Sequence, residues 1–137
     1  MSSRENIVSA VYQLIKDQRS VKLGVVQRDP IITEELPRTG FPAVYVQSTN
    51  EERQYITTTM SESLLEIELV LTVNGRDRDQ QRNILAESIE RTLLNSTELR
   101  SLVTDIQVAR LENIDTGEAS PYASLRMVLI ARYCYSI

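Results

Sequence analysis

Apolar positions along this chain follow two periods, and where the period changes the elements change. Ile7, Val11, Leu14 and Ile15 recur at helical spacing, which predicts an N-terminal helix that begins at Ser2 or Ser3 and ends near Asp17 to Ser20. Ser2 and Glu5 stand three apart, the spacing of a capping box. From Val21 to Val26 the pattern suits a short strand. The polar run Gln27 to Gly40, with Pro30 and Pro37, reads as a loop, and loops above about 12 residues are usually functional or order against a partner.

Alternation then takes over. Phe41 to Ser48 is a strand begun at Pro42, with Val44 and Val46 on one face and Ala43 and Tyr45 on the other. Thr49 to Ser63 is polar and rich in Thr, which favours an extended hairpin arm over a helix. Leu64 to Val73 is the clearest strand: Leu65, Ile67, Leu69, Leu71 and Val73 line one face, opposite Glu66, Glu68 and Thr72. Asn74-Gly75 ends it. Asp77 or Asp79 caps a long helix to about Leu94, expected to bury Ile84, Leu85, Ile89 and Leu93 and to expose Arg78, Glu87, Glu90 and Arg91. Asn95 and Ser96 close that helix, and Thr97 is placed to cap a further turn through Leu102.

Ile106, Val108 and Arg110 next alternate with Gln107, Ala109 and Leu111. The turn Asp115 to Ser120 leads to a last strand, Ala123 to Tyr135. There Leu125, Met127, Leu129, Ala131, Tyr133 and Tyr135 share one face, and Arg126, Val128, Ile130, Arg132 and Cys134 the other. The order is helix, three or four strands, helix, two strands. It predicts a single α+β domain over residues 1–137: a mostly antiparallel sheet with two main helices packed on one face. The second face is not wholly polar, since Leu64, Val70 and the run Val128 to Ala131 reach it, so either the long loop or another subunit is expected to cover it.

Composition narrows the function. With 42% hydrophobic and 25% charged residues in 137, the chain can build one core with no metal or disulfide. Cys134, the lone cysteine, lies between Tyr133 and Tyr135 and reads as a buried strand residue in a reduced, cytosolic compartment. No apolar run approaches a membrane span, and the polar start lacks a secretion signal. A net charge of −4 with no basic stripe argues against nucleic-acid recognition. Lys16 and Lys22 are the only lysines, and Arg supplies the rest of the 15 basic residues. That skew fits a protein that assembles through arginine contacts, and fits codon bias equally.

Catalysis has little to work with. The absence of histidine excludes imidazole acid–base chemistry and histidine-ligated zinc. Gly24, Gly40, Gly75 and Gly117 are isolated, so no glycine-rich phosphate loop exists. Residues 74–79 lack the spaced carboxylates and terminal Glu of a calcium loop. Glu51 and Glu52 point to opposite sides of an extended chain, while Glu66 and Glu68 share the outer face, where Arg126 or Arg132 is placed to pair with them. The expectation is a chain that is not an enzyme and needs no cofactor.

Taken together, the N-terminal helix (Ile7 to Ile15), the Phe-Pro-Ala-Val-Tyr-Val strand at 41–46, the Glu-rich arm, the strand Leu64 to Val73, the helix Asp79 to Leu94 and a Thr-Gly hairpin at 116–117 before a strand ending in aromatics resemble one family over nearly all of the chain. It is the tail terminator, or tail completion, proteins of long-tailed bacteriophages, a family marked by architecture rather than by catalytic residues. The resemblance implies a structural virion protein, assembled in the host cytoplasm, that closes into a hexameric ring on the tail tube. There it stops polymerisation and forms the joint to the head connector. Partners would be other copies, the tail-tube protein and the head–tail connector, with DNA passing through an acidic lumen without specific binding and no membrane involved. On this reading Glu51, Glu52, Arg53 and Tyr55 in the arm and Arg76, Asp77 and Arg78 in the turn contact neighbouring subunits or the tube, and Asp29, Glu34, Glu35 and Arg38 in the loop meet a partner. A head-completion or neck connector protein is the nearest alternative; a small regulatory ligand-binding α+β domain is the alternative of another class.

Overall fold

The computed structural model describes residues 3–114 and 120–136. Ser3, not Ser2, caps the first helix, α1 (Arg4–Asp17), its hydroxyl accepting from the Asn6 amide at 3.3 Å; Ser2 lies outside the described residues. Ile7, Val11 and Ile15 are buried as expected, joined by Val8, while Leu14 is only partly buried. The first strand, β1 (Val25–Gln27), is shorter than the apolar pattern suggests. It runs parallel to β2 (Ala43–Tyr55), pairing Val25 with Ala43 and Gln27 with Tyr45. The intervening loop is the crossover that a parallel pair requires, and it carries two short 3₁₀ turns, Thr33–Glu35 and Arg38–Gly40.

The sheet is five-stranded, in the order β1-β2-β3-β5-β4, and every pair after the first is antiparallel. β3 (Met60–Asn74) and β5 (Tyr122–Ser136) pair along their whole lengths and form its spine. The α+β class read from the sequence is correct: α1, α2 (Arg78–Leu94) and α3 (Thr97–Leu102) lie on one face, over Val44, Val46, Leu65, Ile67, Leu69, Leu71, Leu125, Met127 and Leu129. Those positions alternate because successive strand residues point to opposite faces.

α2 departs from expectation at one position. Its buried stripe is Arg82, Leu85, Ala86, Ile89 and Leu93, and Ile84 is exposed. At about 100° per residue Ile84 stands roughly 200° round from Arg82, on the solvent side. Ser96 rather than Thr97 caps α3, accepting from the Leu99 amide at 3.1 Å. In β4 (Asp105–Ile114) the register shifts between Val108 and Arg110, leaving Ala109 unpaired. The bulge turns Arg110 to the outer face, opposite Val128, and Leu111 to the helix side, opposite Met127, reversing the expected alternation. Most of the expected turn at Asp115 to Ser120, residues 115–119, lies outside the described residues.

Cys134 is exposed, not buried. It stands on the outer face, which no helix among the described residues covers, while its neighbour Tyr133 points inward. Among the described residues no helix is long and apolar enough to cross a membrane.

Candidate interaction surfaces

β2 and β3 run on as an arm well past the strand ends expected at Ser48 and Leu64, joined by the turn at 56–59. A register shift between Ser48 and Asn50 leaves Thr49 unpaired and resets the alternation. Beyond it Glu51, Arg53 and Tyr55 pair with Leu65, Ser63 and Ser61 and take the helix side, whereas Glu52 pairs with Leu64 on the outer side. The opposite orientation of Glu51 and Glu52 is as the sequence predicts.

On the helix side the root of the arm is tied to β5. The Tyr133 hydroxyl donates to Glu51 Oε1 at 2.7 Å, reaching over Ser63 of the intervening strand. Arg53 forms an ion pair with Glu51, and its guanidinium lies 4.2 Å from the centre of the Tyr135 ring. Burial pushes the Glu51 carboxyl up, but the Tyr133 and Arg53 hydrogen bonds, with the Arg53 and Arg4 charges, outweigh it and hold the group below the ordinary carboxylate range. Burial, then the hydrogen bond to Glu51, pushes the Tyr133 hydroxyl up. Arg4 of α1 donates to Ser48 at 3.2 Å, adding a tie at the bulge. Ser61 and Ser63 are buried beneath this network, and their hydroxyls have no hydrogen-bond partner among the described residues. With β5 paired to β3 as far as Met60, the arm is stiff along its length and bare at its tip, where Tyr55, Ile56 and Met60 are 61%, 58% and 40% exposed.

The outer face carries a lattice of ion pairs instead of a covering layer. Arg126 bonds Glu68 at 2.9 Å and approaches Glu112 at 3.7 Å, Arg110 approaches Glu112 at 3.5 Å, and Arg132 meets Glu62 at 3.1 Å. The pairing of Glu68 with Arg126 is the one the sequence suggests; Glu66 stands opposite Ile130. Val70 and Val128 are buried on this face although no helix packs there, so neighbouring side chains of the sheet shield them.

At the far end of β3 the chain turns through Arg76 and Asp77, both exposed. Arg78 donates to the Gly75 carbonyl at 3.3 Å, and the Asp77 carbonyl accepts from Gln81 at 2.9 Å. Asp77 occupies the cap position of α2 without a side-chain cap bond. Gly75 has φ +104°, a conformation that other residues rarely adopt. Behind the turn, buried Arg82 donates to the Ser124 carbonyl at 3.0 Å and to Asp79 at 2.8 Å. In the long loop Asp29, Glu34, Glu35 and Arg38 are all exposed. Arg38 and Leu36 from this loop join Phe41, Asn74, Gly75, Pro121 and Tyr122 around an open cleft of about 520 Å³, in which the Phe41 and Tyr122 rings stack at 5.3 Å.

The structure thus brings loop and turn together and sets the arm apart from both. At about 3.4 Å per residue, the 15 residues of β3 separate the arm's tip from the turn by roughly 48 Å. Tyr133, Tyr135, Arg4 and Arg82 have structural roles that sequence reasoning did not assign. The signal for Tyr133 and Tyr135 was present, two inward-facing tyrosines closing a strand; nothing local marked Arg4 or Arg82. Among the described residues no three Cys, Asp or Glu side chains gather as a metal cage would need.

No family model matches the chain. No curated protein matches it either. Among solved structures, a chain from the virion of a native gene transfer agent (GTA) particle superposes with a TM-score of 0.49 and 12% identity, over 91% of this chain and 96% of that chain.

Proposed function

We propose that this chain is a non-catalytic structural protein of a long-tailed virion, one that caps the tail tube, halts its polymerisation and joins it to the head connector as a ring of about six copies. The observation that carries the reading is the arm: a sheet continued past its helices, fastened at its root by Glu51, Arg53 and Tyr133, and ending in exposed Tyr55, Ile56 and Met60. In a monomer this extension of the sheet leaves its apolar end bare, whereas a neighbouring subunit or tube would cover it. The α-β-β-β-α-β-β order read from the sequence, which resembles the tail terminators, supports the same conclusion. In a head-to-tail ring each subunit offers two different surfaces, so an arm at one end and a turn-and-loop cleft at the other suit heterologous contacts. The net charge of −4 suits a lumen through which DNA must slide without sticking.

Electron microscopy with mass analysis of the purified chain, alone and mixed with its tail-tube protein, tests the reading. Rings of about six subunits, or tubes capped at one end, are the expected result. A chain that stays monomeric and leaves tubes uncapped and growing overturns it.

A further inference from the structure

A second cleft, of about 560 Å³, lies where α1 gives way to β1 and is lined by Lys16, Arg19, Lys22, Val21, Leu23 and Val26 among others. Both lysines of the chain stand on it, with a third cation between them and no carboxylate in the lining, in a protein whose net charge is −4. Lys16 is accounted for locally: it sits in the last turn of α1, where the helix dipole favours a cation, 5.7 Å from the Tyr12 ring centre. Arg19 and Lys22 are exposed and have no hydrogen bond or ion pair among the described residues. Nearby Asp17 is engaged by the Gln13 amide, 3.0 Å from each of its oxygens. The floor of the cleft is partly buried aliphatic surface from Val21, Leu23 and Val26.

The arm has the converse character. Between Glu51 and Glu66 it holds Glu51, Glu52, Glu62 and Glu66 against the single cation Arg53. Arg53 is already committed to Glu51, and Glu52 and Glu66 have no ion pair among the described residues. Its tip supplies the exposed aliphatic and aromatic side chains. We infer that the arm tip of one copy docks in the Lys16–Arg19–Lys22 cleft of a second copy, with Ile56 and Met60 on the aliphatic floor and Glu52 facing the cations. The contact cannot form within one chain: β1 pairs at the Ala43 end of β2, and the twelve residues on to Tyr55 place the tip roughly 40 Å away. A contact between two different ends propagates from copy to copy and closes into a ring or runs on as a filament. Free phosphate chains would satisfy the cations but leave the aliphatic floor and the apolar tip uncovered, so a second copy fits better than nucleic acid.

The inference rests on the self-assembly proposed above and is tested separately from it. In the full chain with exposed Cys134 replaced by Ser, cysteines are introduced as Ile56→Cys and Lys22→Cys and joined with a short bis-maleimide at rising protein concentration. The expected product is a ladder of covalent multimers, against dimers at most from either single variant. In parallel, the reversal Lys16→Glu, Arg19→Glu, Lys22→Glu is expected to raise the half-assembly concentration about tenfold or more, with partial rescue by Glu52→Lys. Rings in the microscope without a ladder overturn the arm-to-cleft pairing and leave the ring standing. Neither ladder nor assembly, with or without the tube protein, overturns both. Retention of duplex DNA at low salt that the reversal abolishes, with no ladder, overturns the pairing in favour of a polyanion site.

Discussion

Removing a single oxygen at the arm's root, by Tyr133→Phe, tests whether the buried network holds the arm. Tyr133 is 1% exposed, and its hydroxyl donates at 2.7 Å to a carboxylate whose side chain is 5% exposed. A hydrogen bond to a charged group contributes about 1.5–3 kcal/mol, and the loss falls on Glu51, which keeps Arg53. For a chain of this size that lowers the melting temperature by roughly 5–10 °C. The assay is thermal and urea unfolding of wild type, Tyr133→Phe, Glu51→Gln and the double variant at pH 7. Coupling between the two sites of about 1 kcal/mol or more is expected, because they share one bond. Acid supplies a second reading. The lowered Glu51 pKa means that its contribution is present above the usual carboxylate value, about 4.3, and is lost as pH falls through the folded value. Tyr133→Phe removes one of the causes of that lowering, so the stability gap to wild type should narrow between pH 7 and pH 3. A melting temperature within about 1 °C of wild type, with coupling below about 0.3 kcal/mol, would refute the network's role.

Two further substitutions probe the ends of the sheet. Arg82→Met keeps most of the buried stem but strips the donor from the Ser124 carbonyl, and should cost about 1–3 kcal/mol in urea unfolding; a loss below about 0.5 kcal/mol would mean that water replaces the guanidinium. Gly24→Ala would set a Cβ 2.3 Å from the Gly40 carbonyl carbon and 2.4 Å from the Thr39 oxygen, both backbone atoms that cannot turn aside. It should cost about 1–3 kcal/mol and speed proteolysis within residues 27–40 several-fold, and unchanged cleavage would show that the loop is not pinned there.

Period alone located the helices and the central strands, because one buried face leaves a clean mark on a sequence. It placed Leu65 to Val73 and Leu125 to Tyr133 on their correct faces. It failed where one residue alters the count or where a polar group is buried. The unpaired Ala109 reversed the faces of Arg110 and Leu111, and Arg82 sits in an apolar stripe that the pattern assigned to Ile84. Cys134 was misjudged because its tyrosine neighbours alternate with it in a strand rather than surrounding it. Of the stretches that carry candidate interaction residues, the hairpin arm was legible as an element because its polarity and Thr content break the run of strands. The bond from Tyr133 to Glu51 was not, since it joins positions 82 residues apart that only the sheet brings together.

The extra residue at Thr49 acts as a switch of sidedness. Every side chain from Asn50 to the tip owes its orientation to the exclusion of Thr49 from the ladder. Were Thr49 to pair with Glu66, Glu51, Arg53 and Tyr55 would roll onto the outer face and Glu52 would turn inward beside Tyr133, whereas deleting Thr49 would smooth the strand and leave them where they are. Whether this one residue is counted in the ladder or left out of it therefore decides which chemistry the arm offers a neighbour, while the core is the same in either case.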